Sequence, residues 1–195
     1  MNVFLTLIIS YLVGSISGSF ILGKYYLHKD VRKYGSGNAG TTNAIRVFGK
    51  KIGILTFIID MLKGSLVAYM LMKYNREFLF LGILFAILGH DYPFYMKFKG
   101  GKGIATTFGA FFIINPLWSS IAFLILLLIG RFTGYVSVGS LVFLFLNFVF
   151  QILTTSLNKN EIIILLLITI LGIVRHRSNI KRLINRNELK SRRKQ

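Results

Sequence analysis

Seven apolar runs fill most of the chain, at 3–23, 52–72, 78–89, 104–114, 117–129, 136–153 and 162–174, and charge is confined largely to the gaps between them. A helix needs about 20 apolar residues to cross a bilayer, which the first, second and sixth runs approach. The other four are short, and each alone also suits a buried or re-entrant helix. Only 15% of the 195 residues are charged, against roughly 25% in a soluble domain. Lipid is therefore the main solvent, and the expected fold is an all-α integral membrane protein with several short helices.

Charge sets the topology. Lys and Arg number 24 against 6 Asp and Glu, a net charge of +18. Twenty of the 24 fall in alternate gaps: 24–51, 91–103, Arg131, and 175 onward. Basic loops stay on the cytoplasmic side, so seven transmembrane helices put all twenty there, with the N-terminus outside and the C-terminus cytoplasmic. A single kinked helix over 104–129 would move the basic tail outside, so Asn115-Pro116 reads as an external turn between two spans. The first run has no Lys or Arg before it and reads as a retained span rather than a signal sequence. The expected organisation is one polytopic membrane domain over 1–195, with cytoplasmic loops at about 24–51, 90–103 and 175–195. Positive charge gathered in gaps between spans argues for anionic lipid and anionic substrates, and against nucleic acid. The absence of cysteine rules out disulfides, a thiol nucleophile and Cys-based metal sites.

Three of these cytoplasmic segments have the chemistry of phosphate sites. The first, Gly35-Ser36-Gly37-Asn38-Ala39-Gly40, runs into helix-start residues Thr41-Thr42-Asn43 and then Arg46. A glycine loop that feeds a helix N-terminus is an anion site in waiting. It lacks the Gly-Lys-Ser/Thr ending of a Walker loop, and a flexible linker with capping residues is the plainer reading. The second, Lys99-Gly100-Gly101-Lys102-Gly103, follows His90-Asp91-Tyr92-Pro93 and leads straight into an apolar run. Exposed backbone N–H groups beside Lys102 suit phosphate, although an ordinary basic helix anchor would look the same. In the third, His176 and Asn179 stand one helical turn apart and can share a face. His176 is open to three roles: general base, phosphate donor, or an interfacial residue without one. Asp60 and Lys63, inside the second span, are costly there unless paired or facing a cavity, and their i, i+3 spacing allows an ion pair. Ser140 and Asn147 in the sixth span suit polar helix packing. No metal-binding His/Glu cluster, G-x-S-x-G elbow, or His with Asp four residues on is present, so neither a metal nor a cofactor is expected.

In order, Gly35-Ser-Gly-Asn-Ala-Gly-Thr-Thr-Asn43 with Arg46, His90-Asp-Tyr-Pro93 through Phe98-Lys-Gly-Gly-Lys-Gly-Ile-Ala-Thr106, and His176-x-x-Asn179-Ile-x-Arg182-Leu183 with Glu188 resemble the motifs of one family. It is that of the bacterial acyl-phosphate-dependent glycerol-3-phosphate acyltransferases of the PlsY type. The match is collinear over nearly the whole chain, and Asp60-x-x-Lys63-Gly64 is also similar. Tyr92 stands where Phe is usual, and Arg186 where Gly commonly precedes the Glu.

The resemblance implies transfer of a fatty acyl group from acyl phosphate to the 1-hydroxyl of sn-glycerol 3-phosphate, giving lysophosphatidic acid and inorganic phosphate. It implies a bacterial inner (cytoplasmic) membrane enzyme with a cytoplasmic active site. The peripheral phosphate acyltransferase that makes acyl phosphate is the implied partner. Carried onto this chain, the catalytic set is Ser36, Arg46, Lys102, His176 and Asn179. The substrate-binding set is Gly35, Gly37, Asn38, Gly40, Thr41, Asn43, Gly101, Gly103, Ser140 and Glu188. The first loop is expected to hold acyl phosphate, while Arg46, Lys102, His176 and Asn179 clamp glycerol 3-phosphate. The hydroxyl proton goes to His176 or to a phosphate oxygen of the donor. A transporter for a phosphorylated small molecule is the main competing reading, but it calls for charges along several spans. A metal-dependent phosphatidyl- or glycosyltransferase needs metal-binding carboxylates, and the cytoplasmic segments hold only Asp30, Asp91 and Glu188. A non-catalytic scaffold has no use for the glycine–cation loops.

Overall fold

The computed structural model describes residues 2–191, whose regular structure is entirely helical. Residues 192–195, the end of the basic tail, lie outside the described residues. The helices are α1 Val3–Ser15, α2 Gly18–Ile21, α3 Thr41–Phe48, α4 Lys50–Tyr74, α5 Leu79–Asp91, α6 Ile104–Ile114, α7 Pro116–Thr133, α8 Val136–Thr154, α9 Lys159–Arg175 and α10 Arg177–Ile184. They gather into two compact units, Met1–Ile114 and Asn115–Gln195.

Four helical stretches are long and apolar enough to cross a membrane: Lys50–Tyr74, Arg76–Met96, Pro116–Thr133 and Val136–Thr154. A fifth forms if α1 and Gly18–Tyr26, bent by 45°, count as one. The remaining apolar helices are shorter: α6, with 11 residues, is about 16 Å long and α9, with 17, about 25 Å, against a hydrocarbon core of about 30 Å.

The apolar run 3–23 is thus broken in the middle. Ile16 turns to ψ 115 at the end of α1, and its freed carbonyl accepts a hydrogen bond from the Lys63 ammonium. Gly18 N–H, at the start of α2, donates to Asp60 Oδ1 at 3.4 Å. The two α4 charges therefore satisfy both sides of the break, where a bare backbone in lipid would be unfavourable.

Local sequence accounts for the other ends. Asn115 accepts from Trp118 N and Pro116 takes the first turn, so α6 and α7 are separate helices. Gly134 closes α7 in the left-handed region at φ 80. Asn158 and Glu161 form a reciprocal capping box at the start of α9.

In the first unit α1 packs on α5 and α4 on α6, with close approach at small residues. A Cβ on Gly14 would overlap the Ala86 backbone. Phe80 and Phe111 fill the space beside these contacts with ring centroids 6.2 Å apart. In the second unit Leu126, Phe143, Leu144, Leu165 and Ile168 make the core. Large apolar side chains such as Ile54, Leu62, Leu66 and Met70 remain exposed along α4, as lipid-facing residues must be. Without a hydrophobic drive between helices, this small-residue fit is what holds α1 to α5. Gly14→Leu is therefore expected to lower Tm by roughly 5 °C or more, read by thermal unfolding in detergent; an unchanged Tm would show that the two helices are held elsewhere.

Candidate active site

The first glycine loop rests on a small core of Phe20, Val31, Ala39 and Met96, with Val47 and Phe48 packed against it. Asn43 organises it. Its side chain is buried, its Oδ1 accepts from Ser36 N at 2.9 Å, and its Nδ2 donates to the carbonyls of Asn38 at 2.9 Å and of Val31 and Tyr34 at 3.1 Å each. Arg46 Nη1 also reaches Asn43 Oδ1, at 3.4 Å. Gly35 and Gly37 supply the positive φ values of 62 and 74 that the loop needs. Asn43 thus shapes the loop through both polar atoms of its side chain. Thr41 differs: at the N-terminus of α3 its Oγ1 is buried and has no partner among the described residues.

The second loop is laid across the first. Gly100 O accepts from Ala39 N at 3.4 Å and from Asn38 Nδ2 at 3.2 Å. On its other side, Gly100 N donates to Asp91 O at 3.1 Å and Gly101 N to His90 O at 3.0 Å. Gly101 lies so close to the His90 ring that a Cβ would collide with Nε2. Lys102 follows, half-buried, and Gly103 at φ 76 leads into α6.

Beneath this loop is a buried charge network. Lys63 Nζ lies 3.2 Å from Asp60 Oδ1 and 2.8 Å from His90 Nδ1. An ammonium can only donate, so His90 Nδ1 accepts and the ring proton sits on Nε2, facing Gly101. Asp60 and Lys63 are 0% and 4% exposed. Their i, i+3 pairing is legible in the sequence; the part of His90 is not, because nothing in spacing ties residue 90 to residue 63. Ser19 is a second missed residue. Its hydroxyl donates to Ala39 O at 2.7 Å and ties α2 to the first loop.

The second unit holds the third motif. His176 ends α9, with Nδ1 2.8 Å from Gly172 O. A carbonyl only accepts, so Nδ1 carries the proton and the lone pair of the neutral ring is on Nε2. Asn179 lies in the first turn of α10 and donates to Glu188 Oε1 at 2.5 Å. Glu188 also accepts from Ser137 Oγ at 2.9 Å and Arg182 Nε at 2.7 Å. Burial raises the Glu188 carboxyl pKa, but hydrogen bonds from Asn179, Arg182 and Ser137 outweigh it and hold the group below its usual range. Glu188 therefore anchors Asn179, and Ser137, absent from the sequence motifs, completes the anchor. Ser140, expected to touch substrate, donates to Val136 O of its own helix at 3.0 Å. Arg186 takes φ 55, the left-handed conformation that glycine adopts without strain. The turn is nonetheless made, with Arg186 N on Leu183 O at 3.1 Å and Asn187 N on Arg182 O at 2.9 Å.

The glycerol-3-phosphate acyltransferase family model matches residues 4–186 of this chain. The chain belongs to that family. It is 42% identical over 192 residues to glycerol-3-phosphate acyltransferase 2 of Bacillus anthracis, covering 97% of this chain and 99% of the relative. Its fold is that of PlsY (YgiH), an integral membrane glycerol 3-phosphate acyltransferase. The crystal structure of PlsY in its glycerol 3-phosphate form superposes with a TM-score of 0.89 at 36% identity, over 96% of this chain and 94% of the other. The lysophosphatidic acid form gives a TM-score of 0.85 at 35% identity, with the same coverage of each chain. Like PlsY, this family member is an all-helical integral membrane protein.

Two measurements follow from the geometry. Removing one member of a buried ion pair leaves the other uncompensated, at a cost of about 3–5 kcal/mol. Lys63→Met should lower Tm more than the double variant Asp60→Asn/Lys63→Met; a double variant as unstable as the single one would refute the pairing. Arg186→Gly should relieve left-handed strain of about 1–2 kcal/mol, offset in part by glycine entropy, and raise Tm by roughly 1–3 °C. A fall in Tm would mean that the arginine side chain, not the backbone, governs this turn.

Proposed function

We propose that the protein transfers a fatty acyl group from acyl phosphate to the 1-hydroxyl of sn-glycerol 3-phosphate, releasing lysophosphatidic acid and inorganic phosphate. The glycerol 3-phosphate and lysophosphatidic acid forms of PlsY support the acceptor and the product. The observation that carries the donor is the first loop. It ends on the α3 N-terminus with a buried, unpartnered Thr41 hydroxyl and the glycine backbone of 35–40 around it. Such an end favours an anion through aligned N–H groups and the positive pole of the helix.

In this reading Ser36, Asn38, Thr41 and the backbone of Gly35, Gly37 and Gly40 hold the acyl phosphate, with Asn43 keeping them in place. Arg46, Lys102 with the Gly101 and Gly103 backbone, His176 and Asn179 serve glycerol 3-phosphate, and Glu188 acts by fixing Asn179. Ser140 is a substrate contact through its oxygen, whose proton is already donated within α8. The 1-hydroxyl oxygen attacks the acyl carbonyl carbon, a tetrahedral intermediate forms, and the bond from that carbon to the phosphate oxygen breaks. The donor is already activated, so no covalent acyl-enzyme is required, and catalysis consists of orientation and stabilisation of the leaving phosphate. His176 Nε2, which bears the lone pair while Nδ1 is held by Gly172, takes the hydroxyl proton.

The proposed setting is a single polytopic unit of seven spans in the bacterial cytoplasmic membrane. The N-terminus would be outside, with the three motif loops and the C-terminus cytoplasmic. Support comes from the twenty Lys and Arg in alternate gaps. A water-soluble acceptor then comes from the cytosol, and acyl phosphate comes from a peripheral phosphate acyltransferase at the same surface.

The test is lysophosphatidic acid formation by the purified protein from glycerol 3-phosphate with either palmitoyl phosphate or palmitoyl-CoA. Product is expected from acyl phosphate alone; product from acyl-CoA alone would overturn the donor. Arg46→Ala should lose on the order of 10²-fold or more in rate. His176→Gln should lose on the order of 10²–10⁴-fold and the pH step of an imidazole. An unaltered pH profile would move the proton to the donor phosphate.

A further inference from the structure

The stretch between the first span and the first loop forms an open cavity lined by residues of neither glycine loop. Its volume is about 360 Å³, with Phe20 as floor and Lys24, Lys29, Arg32 and Lys33 in its lining. That lies in the lower part of the range of small-ligand sites, roughly 300–1,000 Å³.

The walls are shaped by local hydrogen bonds. The span ends in a π-helical turn, Leu22–Tyr26. His28 then takes φ 52, and Lys29 N donates to Gly23 O at 2.8 Å, folding the chain back. Held backbone of this kind, at a non-glycine residue, marks positions where the surroundings dictate the conformation. Arg32 is fixed at three points: Nη2 on Asp30 Oδ2 at 2.8 Å, Nε on Asp30 Oδ1 at 3.0 Å, and Nη1 on Met96 O at 2.7 Å.

This arrangement leaves a charge imbalance. Asp30 is the one carboxylate in the lining, and Arg32 engages both its oxygens. The hydrogen bond from Arg32 holds the Asp30 carboxyl below its usual range, so the pair stays ionised at neutral pH. The lining therefore carries four cations, Lys24, Lys29, Arg32 and Lys33, against the one carboxylate of Asp30, whose field Arg32 and Lys33 share. Phe20 adds an aromatic floor, with Lys24 Nζ 5.3 Å and Arg32 Cζ 5.0 Å from its ring centroid. Tyr25 and Tyr26, next to the rim, are 69% and 76% exposed. Tyrosines at a span end, pointing outward, mark the headgroup level of a bilayer.

We propose that this cavity binds the phosphate of an anionic lipid headgroup, a phosphomonoester such as that of phosphatidic acid being the best charge match. A net excess of three positive charges in the lining suits the charge of about −1.5 to −2 on a phosphomonoester. A soluble phosphate shares that chemistry, but the tyrosine rim and the apolar floor favour a ligand presented by the membrane. The site does not depend on the acyl-transfer reading.

The experiment is native mass spectrometry of the full chain in detergent, offered equal amounts of dioleoyl phosphatidic acid and dioleoyl phosphatidylcholine. Preferential retention of phosphatidic acid is expected, reduced about 10- to 100-fold in Lys24→Gln/Lys29→Gln/Lys33→Gln at low salt. Arg46→Ala, outside the cavity, should retain the lipid, and an unchanged Tm would show that the triple variant is folded. Equal retention of both lipids, or wild-type retention by the triple variant, would overturn the site. Displacement of phosphatidic acid by millimolar inorganic phosphate would overturn the lipid assignment and give the cavity to a soluble phosphate. Lipid binding intact in a preparation that transfers no acyl group would count against the acyltransferase reading alone.

Discussion

The first unit depends on one buried ammonium. Lys63 sits inside the longest helix, where an unpaired charge would be unfavourable, and spends its donors on Asp60, on the Ile16 carbonyl and on His90. Each contact fixes a different element. Asp60 ties the charge to α4 and receives the first N–H of α2. The Ile16 carbonyl is the end of α1. His90 is the last turn of α5, and its own carbonyl carries Gly101. The break in the first span and the seat of the second glycine loop are therefore two consequences of the same charge.

From there the two glycine loops are linked by backbone and short side chains, not by long ones. Gly100 O takes donors from Ala39 and Asn38, and Ala39 O takes the Ser19 hydroxyl. Contacts through backbone and short side chains hold their spacing because little rotamer freedom is left to them. This also explains the glycine content of the second loop in physical terms. At Gly101 the neighbour is an imidazole held by an ion pair, so there is no flexible group to move aside for a Cβ.

The parts of this architecture that rest on local pattern were legible in the sequence. The α3 start at Thr41, the separation of α6 from α7 at Asn115-Pro116, and the Asp60–Lys63 pair all follow from caps, proline and helical spacing. Contacts that join distant residues were not. His90 meets Lys63 only because α4 and α5 pack together, and Ser137 meets Glu188 across 51 positions. Asn43 shows a subtler limit. A polar residue after a glycine loop suits a ligand contact and a loop organiser equally well, and its five side-chain hydrogen bonds, invisible in the sequence, are what show it organising the loop. The break in run 3–23 was hidden for the converse reason: hydropathy is continuous through Ile16, and the cause lies on another helix.

Glu188 plays in the second unit the part that Lys63 plays in the first, with the sign reversed. One carboxylate, its side chain 5% exposed, collects Ser137, Asn179 and Arg182 from α8, from α10 and from its last turn. Because its folded-state pKa is lowered, its contribution is complete above the unfolded carboxylate value of about 4.3 and is lost as pH falls through the lower folded value. The anchor of Asn179 is thus constant across the neutral range, and any pH dependence of activity there must come from another group.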